Sequence, residues 1–219
     1  MVLTEKEREV VVQRFSLDNK ERRTLESIGR SFNVTRERVR QIEKIALGKL
    51  KRTVNSTKLR FIHEVAEAIL RENGGLLLED DLTRRILDMI ENSIDVDQHI
   101  VRLSLTICPS LAYLEKNNTF RLSWHLSSIS PAVIEELLDH AHGVFSQKKE
   151  VMDEEALVAE MKKHKHAQTF GFAEDFFTAL LQVDERIKKT EAGYGLMAWR
   201  HINPKSIRDK ALIVLRLEN

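Results

Sequence analysis

The sequence predicts a mainly α-helical protein, with a helix-turn-helix module of four short helices followed by two winged-helix-like domains, each α with a small β-hairpin. Three observations carry this reading. Only three prolines and eight glycines interrupt 219 residues, and aromatics make up 6%. Apolar residues recur at helical spacing through most of the chain. Beyond residue 57, a pattern of three helical segments and a pair of short strands occurs twice.

Taken in order, LTEKEREVVVQRF (3–15) forms the first helix. Thr4 is its cap, and Glu5 and Glu7 sit in the first turn, where carboxylates complement the helix dipole. Val10, Val11 and Phe15 give it an apolar side, and the polar stretch SLDNKERR ends it. From Thr24 to Lys51, TLESIGRSFNVTRERVRQIEKIALGKLK, two helical patterns flank the turn SFNVT. In the second pattern Val39, Ile42, Ala46 and Leu50 form one stripe, while Arg36, Glu37, Arg40 and Gln41 lie at i, i+1, i+4 and i+5 on the opposite face. A module of about fifty residues is near the lower limit for independent stability.

The polar face has the chemistry of base recognition. Arginine donates two bonds to guanine, glutamate accepts from the cytosine amino group, and glutamine pairs bidentately with adenine in the major groove. Lys44 follows one turn later, suited to a phosphate. These groups occupy the opening turns of the second helix, which in helix-turn-helix docking meet base edges. A solvated surface helix has the same pattern, because Arg-Glu-Arg-x-Arg runs also support exposed helices through i, i+4 pairs.

Residues 3–52, from LTEKEREVVVQRF through TLESIGRSFNVTRERVRQIEKIALGKLKR, resemble region 4 of the bacterial sigma-70 family, with VTRERVRQIE as the core of the likeness. The resemblance implies base-reading positions at Arg36, Glu37, Arg40 and Gln41 in the helix that opens at Thr35, with Thr24, Leu25 and Arg38 near the DNA backbone. It also implies docking on the flap of the RNA polymerase β subunit through the apolar first half, to which Val10, Val11 and Phe15 belong; their alternative role is packing on the helix-turn-helix. Departures from the family pattern are Lys44-Ile45 in place of Ala-Lys, Gly48 in place of a basic residue, and Ser16 in place of glycine. The promoter-melting region that sigma factors carry upstream is missing, so a fragment or a stand-alone adaptor is expected.

After the linker RTVNSTK, KLRFIHEVAEAILRENGG reads as an amphipathic helix with Leu59, Ile62, Val65 or Ala66, and Ile69 inward, ended by Gly74-Gly75. LLLEDDLTRRILDMI and VDQHIVRLSLTI continue at helical period, and LAYLEKNNTFRLSW gives two strands around a Lys-Asn-Asn-Thr turn, completing a domain over 57–127. The second domain, 130–202, repeats this plan with PAVIEELLDHAHGVF, DEEALVAEMKKH, EDFFTALLQVD and the hairpin ERIKKTEAGYGLMAW. Trp124 and Trp199 close the two hairpins. A terminal helix over 203–219, opening at Pro204, reads as the start of a further repeat.

Charge is divided unevenly along the chain. Residues 1–60 carry 16 Lys+Arg against 8 Asp+Glu, a net +8, and the remaining 159 carry 19 against 26, a net −7. The basic head suits phosphate neutralisation. In the acidic tail Arg102, Lys116, Arg121, Lys188 and Lys189 are candidate DNA contacts, but its third helices are poor in basic groups, and protein contact, for example with a regulator, or plain scaffolding is the preferred reading. His140-x-His142 and His164-x-His166 do not share a helical face as i, i+2 pairs, and they read as solvated surface. Asp80-Asp81 and Glu154-Glu155 fit helix starts. No phosphate loop or nucleophile elbow is present, so no catalysis, cofactor or metal is expected. Cys108, the single cysteine, reads as a small buried hydrophobe and excludes an intramolecular disulfide. No apolar run reaches membrane-spanning length and the N-terminus lacks a signal pattern, which implies a cytoplasmic protein.

The expected function is therefore a sequence-specific transcription factor that reads double-stranded promoter DNA and cooperates with bacterial RNA polymerase. The alternative is an adaptor that docks on polymerase or a regulator without reading DNA by itself.

Overall fold

The computed structural model describes residues 2–90 and 96–207. The fold is mainly helical, with a helix-turn-helix module followed by two winged-helix-like arrangements of elements. Among the described residues the order is α1 (Glu5–Phe15), α2 (Leu25–Ser31), α3 (Arg36–Thr53), a 3-10 turn (Val54–Ser56), α4 (Leu59–Glu72), β1 (Leu76–Leu78), α5 (Glu79–Met89), α6 (Gln98–Ile107), β2 (Leu111–Leu114), β3 (Ser123–Leu126), α7 (Pro131–Lys148), α8 (Glu154–Met161), α9 (Lys165–Phe170), α10 (Glu174–Val183), β4 (Ile187–Thr190) and β5 (Gly193–Leu196). None of the described helices is long and apolar enough to cross a membrane.

The chain divides into two compact units, Met1–Ile69 with Asp80–Ala112, and Leu70–Glu79 with Tyr113–Asn219. In the first, α1, α2 and α3 enclose a small core of Val10, Ile28, Val39 and Ile42, with Leu25, Phe32 and Val34 packed at its edge. A second cluster joins Val11 and Phe15 of α1 and Ala46 of α3 to Val54 and to Leu103 and Ile107 of α6. Burying such side chains stabilises by roughly 1.5–3 kcal/mol each, so α6 is a structural part of this unit. Polar contacts fix the helices further. The Thr4 hydroxyl accepts from the Glu7 amide while the Glu7 carboxylate accepts from the Thr4 amide, closing a capping box, and Glu7 also receives Lys49 Nζ from α3 at 2.8 Å. His63 of α4 is buried and its Nε2–H donates to the Ser104 carbonyl of α6 at 2.8 Å.

The second unit is built on one larger core. Leu76, Leu114 and Phe120 belong to it, together with Ile134, Leu137 and Phe145 of α7, Leu157 and Met161 of α8, Phe176, Phe177 and Leu180 of α10, and Tyr194 and Leu196 of β5. β1 pairs antiparallel with β3, placing Leu76 opposite His125, Leu77 opposite Trp124 and Leu78 opposite Ser123, and β3 lies between β1 and β2. β4 and β5 form the second hairpin, Ile187 opposite Leu196. Met152 and Tyr194 form a single antiparallel bridge, so the second repeat has a one-residue counterpart of β1. Trp124 lies in β3 and donates to Glu79 at 3.0 Å, whereas Trp199 follows β5 and meets Phe145 edge-on at 5.9 Å.

Several elements differ from the sequence expectation. Leu76–Leu78 form a strand and not the start of a helix, because their backbone groups pair with β3 after the left-handed glycines Gly74 and Gly75 turn the chain. Lys165–Phe170 form an additional short helix, capped by His164 and ended by left-handed Gly171. The expected terminal helix lies, from residue 208 onward, outside the described residues.

Candidate nucleic-acid interface

The helix-turn-helix is shaped by three local features. Thr24 caps α2 by accepting from the Ser27 amide at 3.1 Å, and Thr35 caps α3 by accepting from the Arg38 amide at 3.2 Å. Between them Asn33 takes a left-handed conformation, φ 52°, which asparagine tolerates better than most residues. Gly29 permits the tight turn, since a Cβ there would stand 2.6 Å from the Val34 carbonyl oxygen. The Val34 amide in turn donates to the Gly29 carbonyl at 2.9 Å.

With Val39, Ile42 and Ala46 buried, the other face of α3 is open. Thr35, Arg36, Glu37, Arg38, Arg40, Gln41 and Lys44 are all exposed, as is Thr24, while Leu25 is half-buried at the edge of the module core. The candidate base-reading set Arg36, Glu37, Arg40 and Gln41 therefore shares one accessible surface with Lys44. Glu37 and Arg40 are paired at 3.8 Å and Arg38 donates to Gln41 at 3.1 Å. Such exposed contacts are worth at most about 1 kcal/mol, so they orient these side chains without withholding them from a ligand.

Around the start of α2 lies a basic groove lined by Arg14, Arg22, Arg23, Thr24 and Arg36, with Glu26 as its acidic member. Arg14 is fixed by two contacts, to Glu43 at 3.1 Å and to the Arg23 carbonyl at 3.1 Å. Of these arginines only Arg36 was singled out by sequence periodicity, because Arg22 and Arg23 sit on a connecting segment and Arg14 at the end of α1; the Arg-Arg pair directly before Thr24 is the signal that points to the groove.

Val10, Val11 and Phe15, expected as a docking pocket or as packing, are buried, with exposures of 0%, 3% and 9%. Val10 closes the helix-turn-helix core, and Leu103 and Ile107 of α6 pack in the cluster that holds Val11 and Phe15. As packed, none of the three presents a side chain to a second protein, because each fills the interior that the short helices need.

Among the tail cations, Arg121 is bound to Glu185 at 3.0 Å and to the carbonyls of Gln182 and Ile187. Lys189 pairs with Glu154 at 2.7 Å and Lys188 donates to the Ile202 carbonyl. Lys116 is exposed, and Arg102 is half-buried on α6. The third helix of the second repeat, α10, buries Phe176, Phe177, Ala179, Leu180, Leu181 and Val183. Three histidines converge between helices, with the ring of His140 5.1 Å from that of His164 and His164 5.4 Å from His166, each pair tilted. The i, i+2 spacing concealed this, because His140 comes from α7 and the other two from the start of α9. Burial and the neighbouring His140 hold the His164 imidazole below its ordinary pKa.

These features define a helix-turn-helix module with an accessible second helix. Residues 1–52 match the family described as sigma-70, region 4, and this N-terminal segment is a sigma-70 region 4 module. A 58-residue stretch is 53% identical to RNA polymerase sigma factor SigA of Clostridium acetobutylicum, covering 26% of this chain and 15% of that protein. The SigA of a Bacillus species is 52% identical over the same length, with 15% of it covered, and that of Listeria monocytogenes 52%, with 16% covered. The matched segment thus spans about one-seventh of the length of these relatives. No solved structure matches the chain.

Proposed function

We propose that this chain is a non-catalytic, cytoplasmic transcription factor related to sigma factors, which reads a promoter element in the major groove with α3 and works with bacterial RNA polymerase. The observation that carries the reading is the single exposed face of α3 bearing Arg36, Glu37, Arg40, Gln41 and Lys44 in a segment that matches sigma-70 region 4. In this reading Arg36, Glu37, Arg40 and Gln41 contact base edges, Lys44 and Arg38 contact phosphates, and Thr24, Leu25 and Thr35 approach the backbone where α2 and α3 begin. The names of the relatives, RNA polymerase sigma factors, support polymerase as the protein partner. Contact with its β flap through Val11 and Phe15 would require α6 to be displaced from them. The acidic repeats are assigned to a protein regulator.

A salt-series binding assay with the full chain on promoter-like and scrambled duplexes tests this. Wild type should prefer the promoter-like duplex and weaken steeply with salt. Arg40→Ala should cost roughly 1–3 kcal/mol on the preferred duplex and relax preference at one base pair, whereas Lys44→Ala should weaken all duplexes alike and lower the salt slope by about 1. Salt-insensitive association with polymerase and no duplex preference would instead establish the adaptor reading.

A further inference from the structure

Helix α6 lies outside the region 4 match, and it places one cation, Arg102, beside the module. A groove between the segment after α1 and the outer face of α6 is lined by Arg14, Lys20, Arg22, His99 and Arg102, with Glu21 as its acidic member. Arg14 and Arg22 also line the groove that leads past Thr24 to Arg36. The two grooves therefore join into one strip that starts at the opening of α3 and ends on α6. Six side chains along it are cationic, Arg14, Lys20, Arg22, Arg23, Arg36 and Arg102, against the two carboxylates Glu21 and Glu26. Pairing occurs on both sides of this count, since Glu26 accepts from Arg30 at 2.5 Å, while Arg14 is paired with Glu43 at 3.1 Å and the exposed Lys20 with Asp18 at 3.7 Å; an exposed pair of that length is weak and yields to a phosphate.

The α6 end of the strip is held in place by structure. Leu103 and Ile107 are buried against Val11 and Phe15, Asp97 caps the helix by accepting from the amides of His99 and Ile100 at 2.9 Å, and His63 binds the Ser104 carbonyl. His99 and Arg102 are three residues apart and so share one face. A positive strip held by a packed helix is suited to a polyanion with regularly spaced charges, and its continuity with the start of α3 matches duplex DNA whose bases that helix reads.

We propose that α6, with Lys20 and Arg22, forms a second phosphate-contact surface that engages the backbone of the duplex flanking the segment met by α3. This rests on the DNA-reading function proposed above and extends its footprint beyond region 4. Phosphate contacts add affinity and register without sequence information, so they would compensate for the small contact area of a module of this size.

The test uses the full chain as wild type, Arg102→Gln, Lys20→Gln and Arg40→Ala, on a promoter-like duplex with and without a ten-base-pair flank on either side and on a scrambled duplex of the longer length. Wild type should bind the flanked duplex more tightly and with a steeper salt dependence than the short one. Arg102→Gln and Lys20→Gln should each lower the log–log salt slope on the flanked duplex by about 1 and retain the preference for promoter-like over scrambled sequence. Lys20 is 67% exposed, so its replacement tests the surface even if Arg102→Gln perturbs folding. Wild-type slopes in both variants, with Arg40→Ala still losing preference, would overturn the inference and leave base reading standing. A slope that depends on Arg102 and Lys20 without any sequence preference would uphold the phosphate strip and overturn base reading.

Discussion

Gly48 stands in the middle of α3, where a Cβ would meet nothing within 4 Å. Glycine costs about 1 kcal/mol relative to alanine in a helix interior, so Gly48→Ala should stabilise the first unit by about that amount. Ser16 makes the complementary case. It caps α1 in a left-handed conformation, φ 57°, which strains any residue with a Cβ. Ser16→Gly should therefore raise stability, by roughly 1 kcal/mol. At Gly29 the direction reverses, because the added methyl would press on a backbone carbonyl 2.6 Å away, and Gly29→Ala should cost roughly 1–3 kcal/mol. Urea denaturation of the three variants checks the set. A Gly29→Ala protein as stable as wild type would show that α2 and the turn do not approach as closely as drawn. The sequence marks Ser16 and Gly48 as departures from the family pattern, but only the geometry gives the sign of each effect.

At the scale of elements, α6 is the helix whose placement changes the reading of its neighbours. It follows the linker and belongs by sequence repeat to the first winged helix, yet Leu103 and Ile107 complete the cluster of Val11, Phe15, Ala46 and Val54. Leu103→Ala should destabilise the first unit by roughly 2–5 kcal/mol, measured by urea denaturation, and a segment cut at residue 55 should lose cooperative unfolding because those side chains would face water. A cooperative, stable 1–55 segment would refute this role for α6. The helix itself was legible from the period of Val101, Leu105 and their neighbours, whereas its packing partner was not, because periodicity says which face is buried and not against what. β1 was misread for a related reason: a run of three leucines has no period, and only pairing with β3 makes it a strand. α9, of six residues with one buried side chain, offered no amphipathic signal. The face shared by Arg36, Glu37, Arg40 and Gln41 was readable because helical spacing alone fixes it, and the groove around Arg22 and Arg102 was not, because it joins residues about eighty positions apart.

Across the whole molecule, stability should depend on pH through buried imidazoles placed in both units. His63 in the first and His125 in the second are held below the ordinary histidine pKa, in each case chiefly because burial disfavours the charged ring. His125 has its Nδ1 bonded to the Leu126 carbonyl while its buried Nε2 has no hydrogen-bond partner, and burial outweighs the backbone groups of Leu126 and Ile129 that favour the charged ring. Below about pH 6.5 the unfolded chain binds protons that the folded chain resists, and stability is therefore complete above that value and lost as pH falls through it. His164 acts in the same direction. A separate set responds at lower pH. The carboxyls of Glu7, Glu136, Glu154 and Glu160 are held below their usual range chiefly by bonds to Lys49, Lys165, Lys189 and Lys163. Their contribution is present above the ordinary carboxyl range near pH 4 and disappears as pH falls through and below it. Melting temperatures measured at pH 7.5 and 5.5 isolate the histidines, since the carboxylates are ionised at both values in either state. Wild type should melt lower at pH 5.5, and His63→Gln/His125→Gln, whatever its absolute stability, should show a smaller difference between the two. An equal drop in both proteins would place the sensitivity in other groups and remove the buried rings from its explanation.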